Sequence, residues 1–107
     1  MDRMLHFAKH ARDFNVSTVD EYEQLAVNFL TQAVGQNLRE CQRTLGDRLR
    51  YDVVTSEFGV VSSSGIIRTY FKPKPCASIP PGKPRINCHS HVDNVTYFEF
   101  ECRRERT

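Results

Sequence analysis

The chain has 107 residues, of which 39% are hydrophobic and 26% are charged, and its formal net charge is only +2. This length and composition predict a single globular domain with one modest core and argue against a disordered chain. The sequence has no apolar run close to the roughly 18 residues that a membrane span needs. Its N-terminus also lacks the apolar segment of a signal peptide.

A first helix is predicted over residues 3–13, which contain no Gly or Pro and carry apolar residues at helical spacing. Met4 and Phe7 belong to its core-facing stripe. The flank beside that stripe carries four polar side chains that point the same way, because they are separated by whole helical turns: His6, Lys9, His10 and Asp13.

A second helix is predicted to begin near Ser17, where a capping pattern starts, and to end before Gly35. Residues 36–48 are polar and are compatible with either a loop or a short third helix. After them the hydrophobic period changes to two, which is typical of strands. Short connections favour an antiparallel meander of three strands, at residues 50–55, 58–62 and 65–71.

Residues 72–84 contain all five prolines of the chain, so they are predicted to form a loop rather than a strand. A loop of this length suggests a binding role. A final hairpin is predicted at residues 85–91 and 96–102, because apolar and polar side chains alternate in the second of these segments.

These elements together predict an α+β fold. N-terminal helices, at about residues 3–35, would pack on a four- to five-stranded antiparallel sheet at about residues 50–102. No cysteine pair has the Cys-x-x-Cys spacing of a zinc ribbon. Two disulfides are possible in three connectivities, but a chain that can form a core without cross-links favours reduced thiols at Cys41, Cys76, Cys88 and Cys102.

The charge is uneven along the chain. No acidic residue lies between Glu57 and Asp93. That interval carries a set of basic side chains together with two histidines: Arg68, Lys72, Lys74, Lys83, Arg85, His89 and His91. Such a cationic interval suits an anionic partner such as a nucleic-acid backbone, although a solvated basic loop is the simpler alternative.

Three groups of residues could carry chemistry. Imidazoles one turn apart beside a lysine can exchange protons near neutral pH, but His6, Lys9 and His10 are also compatible with an ordinary polar surface. In the strand at 65–71, an arginine and a hydroxyl could hold a phosphate, at Arg68 and Thr69. Strict alternation would place residues 67, 69 and 71 on one face of that strand, and β-propensity alone also explains its composition.

The third group is His89 and His91, which share one face of a predicted strand and could bind a transition metal. They have no carboxylate partner nearby in sequence, so an exposed or RNA-facing pair is the favoured interpretation. The chain has no Gly-rich phosphate loop, no Gly-x-Ser-x-Gly motif and no His-Glu-x-x-His motif. It also has no carboxylate cluster typical of two-metal nucleases. If the chain is a nuclease, the lack of such a cluster indicates cleavage without metal ions. That favours RNA as the substrate, because its own 2′-hydroxyl can act as nucleophile.

Several short segments resemble a known family. They are AKHARDF at residues 8–14 and, after a second helix, RYD at 50–52, Thr55, FGV at 58–60 and the strand GIIRTYF at 65–71. They are similar to the toxic domain of colicin D and to related RNase toxins of contact-dependent inhibition and other polymorphic toxin systems. These toxins belong to the barnase/EndoU/colicin/RelE-like group. The similarity covers most of residues 5–72.

The resemblance implies a helix-plus-sheet fold and metal-independent cleavage of RNA, with tRNA as the target in the colicin case. It implies a dedicated immunity protein that covers the site. It also implies that residues 1–107 form one toxin domain, the C-terminal part of a larger secreted protein that acts in the cytoplasm of a neighbouring bacterium.

Carried over by position, His10 matches the catalytic histidine of these toxins, Lys9 a basic residue that contacts phosphate, and Thr69 a catalytic serine hydroxyl. The chain departs from colicin D at Phe7, where a lysine is expected, and at Tyr70, where a tryptophan is expected.

The sequence thus predicts a ribonuclease with no cofactor and no metal. His10 would be the general acid or base, His6 a second one, and phosphoryl charge would be stabilised by Lys9, Arg68 and Thr69. Substrate contacts are predicted at Tyr70, Lys72, Lys74 and Arg85. The alternative is a non-catalytic nucleic-acid- or protein-binding module that uses the basic segment 68–85, with Tyr70 and Phe71 as stacking platforms.

Overall fold

Two helices begin the chain, as predicted. In the computed structural model, which describes residues 1–104, α1 spans Arg3–His10 and continues as a 3-10 turn over Ala11–Asp13, and α2 spans Val19–Thr31. The side chains of Asp2 and Thr18 cap the two helices by accepting hydrogen bonds of 3.1 Å from backbone N–H groups of the first turn.

Four antiparallel strands follow in sequential order: β1 at Leu38–Gln42, β2 at Arg48–Asp52, β3 at Phe58–Val61 and β4 at Ile67–Phe71. The α+β class and the antiparallel meander are therefore confirmed. Strand β1 lies within residues 36–48, for which a loop or a short third helix was predicted, so both alternatives are wrong at this strand. Within residues 1–104 it pairs with β2 alone and is an edge strand, so its mostly exposed polar residues suit its position.

The C-terminal segment is helical, and the predicted final hairpin is wrong. Helix α3 spans Asn94–Arg103, and the side chain of Asp93 caps it at 2.8 Å from the backbone N–H of Thr96. Phe98 is buried, whereas Phe100, two positions later, is 48% exposed, so the period of two does not describe this segment. The sheet consequently runs over residues 38–71 and not over about 50–102.

The two faces of the sheet carry separate apolar clusters. Helix α2 covers one face with a cluster of Tyr22, Ala26, Phe29, Leu30, Val61 and Tyr70. Helix α3 covers the other face, where the cluster comprises Leu49, Tyr51, Phe58, Val60 and Phe98. No helix within residues 1–104 is long and apolar enough to cross a membrane.

Both pairs of cysteines form disulfides, so the expectation of reduced thiols is wrong. Cys41–Cys102 joins the edge strand β1 to α3, and Cys76–Cys88 closes the loop after β4. The expectation rested on a core that needs no cross-link. That argument applies to the core between α2 and the sheet. It does not extend to α3 and the proline-rich loop, which lie elsewhere and which the two disulfides hold in place.

Candidate active site

A cavity of about 230 Å³ lies between α1, the end of β4 and the loop that follows β4. We call it the histidine cavity. Its lining includes three histidines, two lysines and a threonine, together with Asn87 and Tyr97: His6, His10, His89, Lys9, Lys74 and Thr69. Three members of the predicted helix flank, all but Asp13, therefore line the same cavity as the strand residue Thr69.

His10 is the most buried of the cavity's histidines, at 8% exposure. Its imidazole stacks on the ring of Phe71, with the two centroids 5.0 Å apart. Burial is the main reason why the pKa of His10 falls from 6.5 to about 4, and nearby cationic groups add to the shift: Lys9, His6 and Lys74. At neutral pH this imidazole is uncharged and is a proton acceptor.

His6 lies one turn earlier on α1, and its ring centroid is 6.0 Å from that of His10. The Nδ1 atom of His6 is 3.0 Å from the backbone carbonyl oxygen of Asp2. A carbonyl oxygen only accepts hydrogen bonds, so Nδ1 carries a proton and Nε2 is the atom that can exchange one. The two imidazoles of α1 thus lie in different surroundings.

A β-bulge sets the side-chain directions at the strand wall of the cavity. Thr69 pairs with Val60 and Ile67 pairs with Val61, which leaves Arg68 as the extra residue. Ile67 packs on the α2 side of the sheet, whereas Arg68 and Thr69 both line a cavity on the α3 side. The strict alternation predicted for this strand is therefore wrong.

Arg68 does not line the histidine cavity. Its Nε donates to Asp47 Oδ1 at 2.9 Å, and its side chain lines a neighbouring cavity of about 310 Å³. His6 and Thr69 line both cavities. Arg68 was predicted to neutralise the phosphate together with Lys9. It is instead paired with the buried carboxylate of Asp47 and lies at the neighbouring cavity.

Lys74 lines the histidine cavity, whereas the other three predicted substrate contacts do not. Tyr70 is fully buried, and its hydroxyl donates to the carboxylate of Glu57, so the prediction that it stacks on substrate is wrong. Arg85 is exposed but donates to the backbone carbonyl of Cys76. Lys72 lies over the ring of Phe14, with its Nζ 5.4 Å from the centroid, and lines an adjoining groove.

The loop after β4, for which the sequence suggested a binding role, supplies one wall of the histidine cavity. Its backbone forms a bridge between Pro75 and His89, with His89 N donating to the carbonyl of Lys74 at 3.0 Å. Cys76–Cys88 lies beside this bridge. The available signal was the pair of cysteines on either side of Pro80, Pro81 and Pro84, because a disulfide between them closes this segment into a loop.

The orientation of His89 is fixed by Asn94. The amide nitrogen of Asn94 donates to the carbonyl of Pro73 at 2.9 Å, so its amide oxygen faces His89 Nε2 at 2.8 Å and accepts from it. Nδ1 of His89 is buried and has no hydrogen-bond partner among residues 1–104. His89 is therefore held with Nε2 towards Asn94 and with Nδ1 unpartnered among the described residues.

His89 and His91 lie side by side, with ring centroids 5.7 Å apart. Within the described part of the chain, no group of three or more His, Cys, Asp or Glu side chains is placed to hold a metal ion. The pair thus lacks a third protein ligand among these residues, and His89 is oriented by Asn94 instead.

Comparison of the chain with models of known protein families and with curated protein sequences gives no match. The similarity to colicin D-like toxins stays a prediction that rests on residues 8–14, 50–52 and 65–71.

Proposed function

We propose that the protein is an endoribonuclease that cleaves RNA by attack of a 2′-hydroxyl on the adjacent phosphate, without a metal ion. The observation that carries the proposal is the histidine cavity itself. It brings two imidazoles and a lysine of α1 to the hydroxyl of Thr69, around a space of about 230 Å³. These groups can move protons and bind an oxyanion, which is the chemistry that this reaction requires.

In the proposed reaction, His10 accepts the proton of the 2′-hydroxyl while that oxygen bonds to phosphorus. The bond from phosphorus to the 5′-oxygen breaks, and His6 donates a proton to the leaving oxygen. The products are a 2′,3′-cyclic phosphate and a free 5′-hydroxyl. His10 suits the role of base because it is uncharged at neutral pH. His6 keeps its Nδ1 proton on the carbonyl of Asp2, so in its imidazolium form the second proton is on Nε2, from which it would be donated.

Charge on the phosphoryl oxygens would be stabilised by Lys9 and Lys74, whose ammonium groups line the cavity, and by a hydrogen bond from Thr69. Lys74 takes the place that the sequence assigned to Arg68. Removal of one such preorganised donor commonly lowers kcat by about 10²–10³-fold.

The low pKa of His10 fits a base that works on an anionic substrate. A bound phosphate introduces negative charge beside the imidazole, and negative charge raises the pKa of a histidine. Burial and the nearby cations keep His10 free of a proton before binding, and the phosphate then increases its basicity.

The narrower proposal is a toxin domain that cuts tRNA or another structured RNA. It includes secretion within a larger toxin, delivery to the cytoplasm of a neighbouring bacterium, and neutralisation by a cognate immunity protein. Its support is the resemblance of residues 8–14 and 65–71 to the colicin D-like toxins.

The alternative, a binding module without catalysis, loses one of its two stacking platforms because Tyr70 is buried in the core. Both functions predict that RNA binds, so cleavage distinguishes them. Total bacterial RNA is incubated with the wild-type protein and with three variants: His10→Ala, His6→Ala and His91→Ala.

We expect the wild-type protein and His91→Ala to cut the RNA, because His91 does not line the histidine cavity. His10→Ala and His6→Ala should lose cleavage while their circular dichroism spectra stay unchanged. Cleavage at the wild-type rate by both would refute the proposal. Binding of RNA by the wild-type protein without any product would favour the binding module.

A further inference from the structure

A groove of about 550 Å³ adjoins the histidine cavity, and both are lined by Lys9, His10, Lys74 and Asn87. We call it the basic groove. One carboxylate, that of Asp13, lies in its lining. Against it stand five cationic side chains: Lys9, Arg12, Lys72, Lys74 and Lys83.

None of these five cations forms an ion pair with a carboxylate within residues 1–104, whereas Arg43, Arg50 and Arg68 each do. Four of the five are exposed, and Lys72 is half-buried over Phe14. The groove therefore presents positive charge that the described protein does not itself neutralise, which attracts an anion of extended shape.

The remainder of the groove is apolar. Ile79 lies at its base with 8% exposure, and Pro80, Pro84 and Ile86 form surface beside it. Cationic side chains together with apolar surface are the combination that single-stranded nucleic acid uses, since its phosphates need charge and its bases and riboses need contact area.

The wall formed by the loop is held in place by contacts of its own. Cys76–Cys88 closes it, Arg85 donates to the carbonyl of Cys76, and the 3-10 turn Cys76–Ser78 adds a hydrogen bond of 2.6 Å from Ser78 Oγ to Pro75. A groove whose wall is already ordered loses little conformational entropy when a ligand binds.

We propose that the basic groove binds backbone phosphates of the RNA strand next to the cleaved bond, an inference that rests on the proposed function. The enzyme would thus take a single strand of several nucleotides, with the scissile phosphate in the histidine cavity and flanking phosphates at Arg12 and Lys83. A dinucleotide has one internucleotide phosphate, so with that phosphate in the histidine cavity it would have none to place at these two residues.

Binding is tested with a fluorescent eight-nucleotide single strand of DNA, which carries the same phosphates but has no 2′-hydroxyl to attack. Fluorescence anisotropy gives its affinity at several salt concentrations for the wild-type protein and for Arg12→Gln/Lys83→Gln. The matched control is Arg39→Gln/Arg103→Gln, which removes two exposed charges that lie on β1 and α3, outside the groove.

Each lost phosphate contact lowers the slope of log K against log salt by about 0.7 for a single strand. We expect the groove variant to reduce the slope by about 1.4, which is two such contacts, and the control variant to leave it unchanged. Equal slopes for the two variants would overturn the proposal. So would equally tight binding of a polyglutamate peptide of the same charge, which would indicate an acidic protein partner.

Cleavage separates this inference from the proposed function. The groove variant should lower kcat/KM for an eight-nucleotide RNA and leave kcat/KM for a dinucleotide unchanged. If both RNAs are cut and the variant affects neither, the nuclease stands and the groove proposal fails. If neither RNA is cut but the slope of DNA binding falls as expected, the groove binds single strands and the nuclease proposal fails.

Discussion

The imidazole of His10 stacks on the ring of Phe71, with the ring planes inclined by 22°. This contact joins the end of α1 to the end of β4. It has two consequences: it buries the imidazole, and it places the polar flank of α1 beside Thr69. The proposed chemistry depends on both.

The first prediction concerns that contact. Phe71→Leu removes the stacked ring but keeps an apolar side chain, so the domain should fold while water gains access to His10. We expect the pKa of His10 to rise from about 4 towards 6.5, because burial is the main cause of its depression. NMR titration of the histidine ring protons measures the shift. Phe100→Leu, on α3, is the control, and equal pKa values in both variants would contradict the account.

The second prediction concerns stability. Between pH 6.5 and about 4 the unfolded chain binds a proton at His10 that the folded chain does not, so protonation favours unfolding in that window. Stability contributed by the neutral imidazole is therefore present above pH 6.5 and is lost as the pH falls. His10→Gln should show a smaller decrease in Tm between pH 7 and pH 4.5 than the wild-type protein, and His91→Gln the same decrease. If Tm falls as much in His10→Gln as in the wild-type protein, the lowered pKa of His10 is contradicted.

The third prediction concerns the pH dependence of cleavage. The acid limb of kcat/KM reports the base in the free enzyme, so it should lie near pH 4 and not near 6.5. Lys9→Gln removes one of the repelling cations and should move the limb to higher pH while it also lowers kcat/KM. A limb that stays in place in Lys9→Gln would show that Lys9 does not act on His10.

The fourth prediction distinguishes the two disulfides. Cys76 and Cys88 are 12 positions apart, and their bond holds the loop wall of the histidine cavity. Cys76→Ser/Cys88→Ser should therefore lower kcat/KM for RNA in a protein that is still folded. Cys41 and Cys102 are 61 positions apart, and loss of a cross-link over such a span reduces the free energy of unfolding by about 4 kcal/mol.

Urea unfolding and cleavage assays on Cys76→Ser/Cys88→Ser and on Cys41→Ser/Cys102→Ser separate these effects. A loop variant with wild-type kcat/KM would show that the wall needs no cross-link.

Helical spacing alone was enough to predict the polar flank of α1, because residues three and four positions apart must share a face. The same spacing does not say what that face meets. Its position beside β4 follows from the packing of His10 on Phe71, a contact between residues 61 positions apart. The convergence of Lys9 and Thr69 thus depends on tertiary structure.

The errors at the C-terminus have a physical origin as well. In residues 96–102 the apolar positions fit a strand with one wet face and also fit a helix that turns Phe98 and Cys102 towards the sheet. The apolar residues on the α3 side of the sheet need an element that covers them, and this favours the helix. The sequence alone does not show that this face of the sheet is otherwise uncovered. Asp93, a good N-cap three residues before Thr96, was the local signal for a helix.

The bulge at Arg68 could not be predicted from the sequence either, because an extra residue in one strand depends on the register of the neighbouring strand. It turns Arg68 towards Asp47 and leaves Lys74 to line the histidine cavity. Arg68→Gln should accordingly lower kcat/KM less than Lys74→Gln does, and the opposite order would restore the role predicted from the sequence.

The chemistry of the cleaved ends tests the central proposal most directly. A defined RNA oligonucleotide is incubated with the wild-type protein in the presence of EDTA, and phosphorus NMR and mass spectrometry identify the new termini. We predict a 2′,3′-cyclic phosphate on one fragment and a 5′-hydroxyl on the other, at the same rate with and without EDTA. Fragments that end in a 5′-phosphate and a 3′-hydroxyl, or cleavage that EDTA abolishes, would contradict it.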